Sequence, residues 1–215
     1  FDERAAELDG ERQQALAAER AAAVAVGRRR REVGPRLAAA VEAELRRLAM
    51  PHASVAVEVG EHPQDHPGDR VQFLLAANPG SPLLPLNRVA SGGELARAML
   101  ALRLVLSAAS ATHRSGRTLV FDEVDAGIGG EAAQAIGDAL AQLARTHQVL
   151  VVTHLAQVAA AADVQISVAK TVREGQTYAG ATPISAEERV AEIARMLSGS
   201  ATDSALDHAR ELLER

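Results

Sequence analysis

Cysteine and tryptophan are absent from the sequence, and aromatic residues make up only 2% of it. Without cysteine the chain has no disulfide framework and no thiolate ligand for a metal, so a reducing compartment is permitted. With so few aromatic side chains, the core must be built from Ala, Leu and Val, and an apolar share of 47% is ample for one. No apolar run approaches the length of a membrane span, and we expect no membrane partner.

A phosphate-binding P-loop is missing as well. That motif, G-x-x-x-x-G-K-[ST], needs a glycine before its lysine, whereas the one lysine of the chain, Lys170, follows Ala169. The first residues, Phe1 to Arg4, are mostly charged and show neither an initiator methionine nor a signal peptide, so we expect a piece of a longer protein. The net charge of −5 argues against a nucleic-acid-binding surface over the whole chain.

Residues 1–50 form a helical segment by composition, rich in Ala, Glu, Arg and Gln. The heptad pattern of this segment is weak, and a solvent-exposed helix would have the same composition. Gly34-Pro35 is expected to break or kink the helix. The run Arg28–Arg31 could contact DNA phosphates, although most runs of this kind are solvated helix faces.

Residues 51–215 have the pattern of an α/β domain that opens with two strands. It is expected to close with a hairpin of residues 164–172 and 177–181 around Glu174-Gly175, followed by two helices, residues 186–197 and 201–213. Alternating valines mark the first strand, residues 53–59, and residues 71–77 form the second; we expect the two to pair antiparallel. The loop between them contains His62 and His66, four residues apart. On a helix that spacing could hold zinc, but the prolines of this loop make a helix, and therefore a metal site, improbable.

The stretch Ser91-Gly92-Gly93-Glu94 marks the start of a helix. Ser91 and Glu94 have the spacing of a capping box, and the residues that follow are rich in Ala and Leu. Two glycines in a first helical turn are costly unless something must lie close to the backbone. Because a helix N-terminus presents free N–H groups and a partial positive charge, an anion such as phosphate would suit this place. An ordinary capped helix with a flexible lead-in fits the same residues.

Two short apolar runs end in polar residues that can do chemistry. The first, residues 117–123, ends in Asp122 and Glu123, and the second, residues 148–154, ends in His154. Helical segments separate the two runs, so they are expected to be parallel strands of one sheet, with ligands bound at their carboxyl ends. The alternative is structural: a carboxylate that caps the next helix and a partly buried histidine.

These motifs resemble those of a known family. Ser91-Gly92-Gly93-Glu94 resembles the signature motif of ABC and SMC-type ATPases, residues 119–123 look like their Walker B strand, and Thr153-His154 looks like their switch histidine. The segment Phe121–Gly130 is most similar to the RecN family of bacterial SMC-like ATPases, which act in DNA repair. Further similarity lies in Asn78-Pro79-Gly80, in residues 153–159 and in the tail with His208-Ala209, so the resemblance runs from about Val71 to the end.

The resemblance implies an α/β fold, the C-terminal lobe of an ATPase head, in which helices flank a mainly parallel sheet. Residues 1–50 would be the end of a coiled-coil arm, and residues 51–215 the lobe. It also implies a role for each motif residue: Asp122 would bind Mg²⁺, Glu123 would be the general base, and His154 would contact the γ-phosphate. Ser91, Gly92, Gly93 and Glu94 would bind the γ-phosphate of ATP held by a second head. Gly127 and Gly129 would belong to the D-loop; Gly129 stands where many relatives have Asp, so a D-loop carboxylate is in doubt.

The partners implied by the resemblance are an N-terminal Walker A lobe of the same protein, a second copy bound through ATP-sandwiched heads, and DNA (ends, duplex or single-stranded). ATP and Mg²⁺ would be the cofactors, the chain alone would hydrolyse nothing, and the place would be the bacterial cytoplasm, near the nucleoid. The function would be double-strand-break repair and recombination. Two alternatives are a structural dimerisation or DNA-tethering module that ATP only stabilises, and the nucleotide-binding domain of a transporter. The SMC-like Asp122-Glu123-Val124-Asp125 argues against the transporter.

Overall fold

A computed structural model describes residues 2–61, 69–89, 91–109, 118–173 and 176–214. The loop that holds His62 and His66 and the expected turn at Glu174-Gly175 lie outside these ranges. The chain divides into two compact units. The first contains Phe1–Arg46 and Met50–Ala90, and the second contains Arg47–Ala49 and Ser91–Arg215.

The first unit begins with one long helix, α1, which spans Asp2–Arg47 and contains Pro35. Of the expected break or kink at Gly34-Pro35, the break is therefore wrong, and the kink stays a prediction. Proline removes a single helical hydrogen bond, whereas the residues after it form an apolar stripe that is buried. Ala38, Val41 and Leu45 of that stripe are at most 6% exposed. This packing keeps the chain helical through the proline.

In the described part of the first unit, three strands follow this helix. Strand β1 (Ser54–Glu61) pairs antiparallel with β2 (Asp69–Ala76), as predicted from the alternating valines. A two-residue strand, β3 (Leu84–Pro85), pairs with the other edge of β2 and leads into a 3₁₀ turn over Leu86–Arg88. The prolines of this segment, Pro82 and Pro85, give no alternating pattern that would predict so short a strand.

Side chains of α1 bind the strands of the first unit directly, and the division into a segment 1–50 and a lobe 51–215 stays a prediction. The Val55 N–H donates to Glu42 Oε1 at 2.8 Å, and Arg31 Nη1 donates to Asp69 Oδ1 at 3.0 Å. Arg30 Nη1 lies 3.6 Å from Asp69 Oδ2. Two members of the arginine run thus hold the start of β2, and the DNA contact of this run stays a prediction.

The second unit alternates helices and strands. Its elements are α2 (Gly92–Ala109), β4 (Thr118–Phe121), α3 (Glu131–Ala144), β5 (Gln148–Val151), α4 (Ala156–Ala160), β6 (Ile166–Arg173), β7 (Gln176–Pro183), α5 (Ala186–Ser198) and α6 (Asp203–Leu213). Strands β4 and β5 are parallel, with Thr118 opposite Gln148 and Phe121 opposite Val151, as predicted. Strands β6 and β7 form the expected antiparallel hairpin.

A helical cluster made of small and branched side chains closes the second unit. It joins α4, α5 and α6 through Ala156, Ala159, Ile193, Ala194, Ala205, Ala209 and Leu212. Helix α5 begins with a complete capping box between Ser185 and Glu188, and ends at Gly199 in the left-handed conformation. The core therefore has the aromatic-poor composition that the sequence requires. Among the helices of the described ranges, none is long and apolar enough to cross a membrane.

Candidate functional site

The chain turns sharply after β4 and leaves two carboxylates exposed at the end of the strand. Asp122 and Glu123 are both exposed, while Val124, the next residue, is 0% exposed. The Ala126 N–H donates to the Glu123 carbonyl at 3.0 Å, which closes the turn. Glu123 has a φ of 58°, a conformation that residues other than glycine adopt at a cost of about 1–2 kcal/mol. The buried Val124 and the turn bond hold the strained residue in place.

The end of β5 lies beside this turn. The Val152 N–H donates to the Phe121 carbonyl at 3.0 Å, so the parallel pairing continues one residue beyond the strands. Thr153 and His154 follow, and the side chain of His154 is 72% exposed. The structure thus brings Asp122, Glu123 and His154 to the same edge of the sheet, as the strand pattern predicted.

Asp125 connects the two strand ends. Asp125 is 1% exposed, and its Oδ2 atom accepts a short hydrogen bond from the Thr153 hydroxyl. The same oxygen accepts from the His154 backbone N–H at 3.4 Å and lies 3.5 Å from His154 Nδ1. Because a buried carboxylate needs donors to offset its lost hydration, these bonds fix the loop after β4 to the loop after β5.

The N-terminus of α2 packs against the same turn. The Ser91 hydroxyl accepts from the Glu94 N–H at 3.3 Å, which confirms the serine cap. At Gly92, the space that a Cβ would need is occupied by Glu123 Oε2, and at Gly93 a Cβ would lie 3.0 Å from Ala126 Cβ. Within the chain, what lies close to both glycines is therefore the Glu123–Ala126 turn. The Glu123 carboxylate sits where the helix N-terminus favours negative charge.

Arg97 is a residue whose role the sequence analysis missed. It is 6% exposed, and its Nη1 atom donates to the Ala126 carbonyl at 3.1 Å and to the Val124 carbonyl at 3.4 Å. Burial lowers the pKa of its guanidinium, and the nearby Glu94 carboxylate partly opposes this. Helical spacing could have revealed it, since Arg97 shares one face with the buried Gly93 and Leu100.

The predicted D-loop glycines differ in what they do. Gly127 has a φ of 73°, which favours glycine, whereas no positive φ distinguishes Gly129. A Cβ at either position would meet nothing within 4 Å. Both residues are exposed, so the surface after the turn is open to a partner molecule. The structure therefore gives a conformational reason for Gly127 alone.

The residues at the sheet edge suit a magnesium ion that is shared with phosphate. Within the described ranges, no group of three or more His, Asp or Glu residues is arranged to hold a metal by itself. Mg²⁺ bound together with a nucleotide needs only one or two carboxylates, because phosphates and water supply its other ligands. The exposed Asp122 at the end of β4 fits that requirement.

Among the described residues, one face of the β4–β5 pair is apolar and exposed. Val120 is 67% exposed, Leu150 47% and Val152 62%, while Phe121 on the opposite face is 7% exposed. Parallel strands are nearly always covered on both faces, since both carry apolar side chains. An apolar face of this kind on parallel strands marks a surface for further protein.

The chain is similar in sequence to known DNA repair proteins. It is 47% identical to the DNA repair protein RecN of Mycobacterium tuberculosis over 213 residues, which is 90% of this chain and 36% of that protein. It is 48% identical to the RecN of Deinococcus radiodurans over 187 residues, 86% of this chain and 32% of that protein. The chain thus spans about a third of the length of these curated relatives.

Among solved structures, an Smc head domain with an extended coiled coil from Pyrococcus furiosus is similar, with a TM-score of 0.48 and 22% sequence identity. The similarity covers 71% of this chain and 35% of that one. No family model matches the chain.

Proposed function

The chain belongs to the RecN family of DNA repair proteins, and on that premise we propose that it is half of an ATPase head. In this proposal the other half is a lobe with a P-loop, which the sequence of this chain lacks. The observation that carries the proposal is the placement of Asp122, Glu123 and His154 at the ends of two adjacent parallel strands. Nucleotides bind at this edge of parallel sheets.

Each of the three side chains has a separate task in the proposed reaction. Asp122 holds Mg²⁺ directly or through water, and the ion neutralises charge on the phosphates. Glu123 orients or deprotonates the water that attacks the γ-phosphate. His154 contacts the γ-phosphate from the neighbouring strand end. All three side chains are exposed in the chain alone, which leaves them free to meet a nucleotide held by the missing lobe.

The N-terminus of α2 serves a different nucleotide in this proposal. A second copy of the protein holds this ATP, and its γ-phosphate binds to Ser91, Gly92, Gly93 and Glu94. ATP thereby joins two heads. The Glu123 carboxylate now occupies the space beside Gly92. A carboxylate at the end of a flexible side chain can move aside, so an arriving phosphate can replace it at the helix N-terminus.

The exposed apolar face of the β4–β5 pair supports the need for a second lobe. Three neighbouring apolar side chains, Val120, Leu150 and Val152, are between 47% and 67% exposed. Covering them would remove apolar surface from water and complete a sheet with both faces buried. We propose that the Walker A lobe of the same protein packs there.

The cellular role follows from the family. The head would close on ATP and reopen after hydrolysis, and this cycle would hold or tether DNA ends during double-strand-break repair. We place the protein in the bacterial cytoplasm near the nucleoid. Residues 1–50 would be the returning end of a coiled-coil arm.

ATP turnover tests the proposal. It should be measured, with and without linear duplex DNA, for the chain alone, for the chain completed with the Walker A lobe, and for the completed protein with Glu123→Gln. We expect no turnover by the chain alone, turnover on completion, and a Gln variant that loses turnover but still dimerises with ATP. Glutamine keeps the shape of the side chain but cannot accept a proton.

Two results would contradict the proposal in different ways. A completed protein that neither binds nor hydrolyses ATP would refute the ATPase assignment. A completed protein that binds ATP and dimerises, with a Gln variant as fast as the parent, would refute the role of Glu123. That second result would favour a structural dimerisation module.

A further inference from the structure

Asp125 is a buried carboxylate to which neither the motif analysis nor the proposed reaction assigns a task. It is 1% exposed. The described residues around it supply two hydrogen-bond donors to its Oδ2 atom, the Thr153 hydroxyl and the His154 N–H. Both donors belong to the loop after β5, whereas Asp125 belongs to the loop after β4. The Asp125 carboxylate therefore links the two loops that carry Glu123 and His154.

We infer that Asp125 is a positioning residue that fixes His154 relative to Glu123. The inference rests on the proposed function, since those two side chains matter together only if they act on one nucleotide. Asp125 itself touches neither substrate nor metal in this scheme. It acts through the loop that it holds.

The hydrogen bonds form a continuous path from one residue to the other. The Ala126 N–H binds the Glu123 carbonyl at 3.0 Å, which fixes the turn that contains Asp125. The carboxylate then binds the Thr153 hydroxyl, and that hydroxyl accepts from the Leu155 N–H at 3.0 Å. His154 therefore lies in a segment tied on both sides, although its own ring is 72% exposed.

Rigid placement of this kind has a known scale in catalysis. A displacement of about 1 Å in a group that contacts the reacting atoms can cost about 100-fold in rate. Residues 152–155 lie between the end of β5 at Val151 and the start of α4 at Ala156, so they belong to a loop and not to a strand or helix. Loss of the Asp125 link would therefore let His154 move without unfolding the sheet.

Hydrogen exchange tests the link in the chain without any nucleotide. Asp125→Asn and Thr153→Val should both speed exchange of the His154 and Leu155 amides, whereas Thr153→Ser, which keeps the hydroxyl, should not. The Val152 amide is the internal control, because its bond to the Phe121 carbonyl at 3.0 Å does not involve Asp125. Unchanged exchange at residue 154, or equal acceleration at 152 and 154, would overturn the inference.

Turnover by the completed protein tests the consequence. We expect Thr153→Val to lower kcat about 10- to 100-fold with KM for ATP changed less than about threefold. Thr153→Ser should restore kcat. Because Asp125 and Thr153 act through His154, Thr153→Val combined with His154→Ala should be no slower than His154→Ala alone.

The outcomes separate the inference from the proposed function. If the parent protein turns over ATP and the losses of kcat caused by Thr153→Val and by His154→Ala multiply in the double variant, the inference is wrong and the ATPase proposal stands. If the completed parent has no turnover, the proposed function fails, and the inferred positioning of His154 for that reaction fails with it, even if exchange at residue 154 changes as expected.

Discussion

Replacing Arg97 with methionine should destabilise the second unit measurably. Arg97 is 6% exposed, and its guanidinium holds two backbone carbonyls of the turn after β4. Methionine fills much of the same space but donates no hydrogen bond. The substitution therefore leaves the carbonyls of Val124 and Ala126 without this donor, in a site that is buried at Val124 and partly buried at Ala126.

The size of the effect follows from the two distances. The bond to the Ala126 carbonyl, at 3.1 Å, has ordinary length, and a hydrogen bond from a charged donor contributes about 1.5–3 kcal/mol. The bond to the Val124 carbonyl is long, at 3.4 Å, and we count it as about 0.5 kcal/mol or less. Methionine removes the desolvation of a buried guanidinium, which offsets part of the loss. We expect a net loss of about 1–3 kcal/mol, or roughly 2–12 °C in Tm for a chain of this size.

Urea unfolding followed by circular dichroism would measure this loss. Arg210→Met is the matched control, because Arg210 pairs with Asp207 at 2.7 Å while both side chains are more than half exposed. Such exposed pairs contribute about 0–1 kcal/mol. If Arg97→Met and Arg210→Met were equally stable, the buried arginine would not hold the turn.

Three further predictions concern other parts of the chain. Gly92→Ala should leave Tm nearly unchanged, because only the flexible end of the Glu123 side chain must move. Gly93→Ala should lower Tm, because the new Cβ would lie 3.0–3.2 Å from the Ala126 side chain and backbone. Equal Tm values for the two variants would refute this. Val120→Lys should not alter unfolding of the chain, since Val120 is 67% exposed, but should abolish binding of the Walker A lobe in a pull-down; undiminished binding would refute the docking face. Hydrogen bonds from Ser185, the one from its backbone N–H first, lower the pKa of Glu188 in the folded chain. The ionised Glu188 therefore stabilises the folded state at neutral pH. This stabilisation is lost as the pH falls below the unfolded-state pKa of about 4.3 and then through the lower folded-state pKa. The Ser185 N–H donates to Glu188 Oε2 at 2.7 Å, so the difference in unfolding free energy between the parent and Glu188→Gln should shrink in acid; a constant difference down to pH 3 would contradict it.

Most of the elements could be predicted from local pattern. The helix after Ser91, the parallel strands β4 and β5, the closing hairpin and the two terminal helices were all expected from periodicity and capping residues, and the structure confirms them. These features depend on residues that are near one another in sequence, so the local pattern suffices. The exposed positions of Asp122, Glu123 and His154 also follow from where apolar runs end.

Features that depend on distant contacts escaped the local pattern. A proline alone predicts a helix break, because it lacks an N–H group. Helix α1 nevertheless continues past Pro35, where the apolar stripe of Ala38, Val41 and Leu45 is buried. The two glycines of the α2 N-terminus suggested a bound anion, and the structure shows that the turn after β4 lies against them.

The sequence by itself determined the order of helices and strands, the missing P-loop and the set of polar residues at the strand ends. Only the tertiary structure decided which of those residues are joined. Asp125 and Thr153 lie 28 positions apart and meet because β4 and β5 are paired in parallel register, which brings both following loops to one edge. Arg97 reaches the same loop from α2 for a similar reason, since packing of the helix turns its charge inward. The burial of a charge is a property of the packed structure, because the cost of lost hydration is offset only by partners that folding brings close.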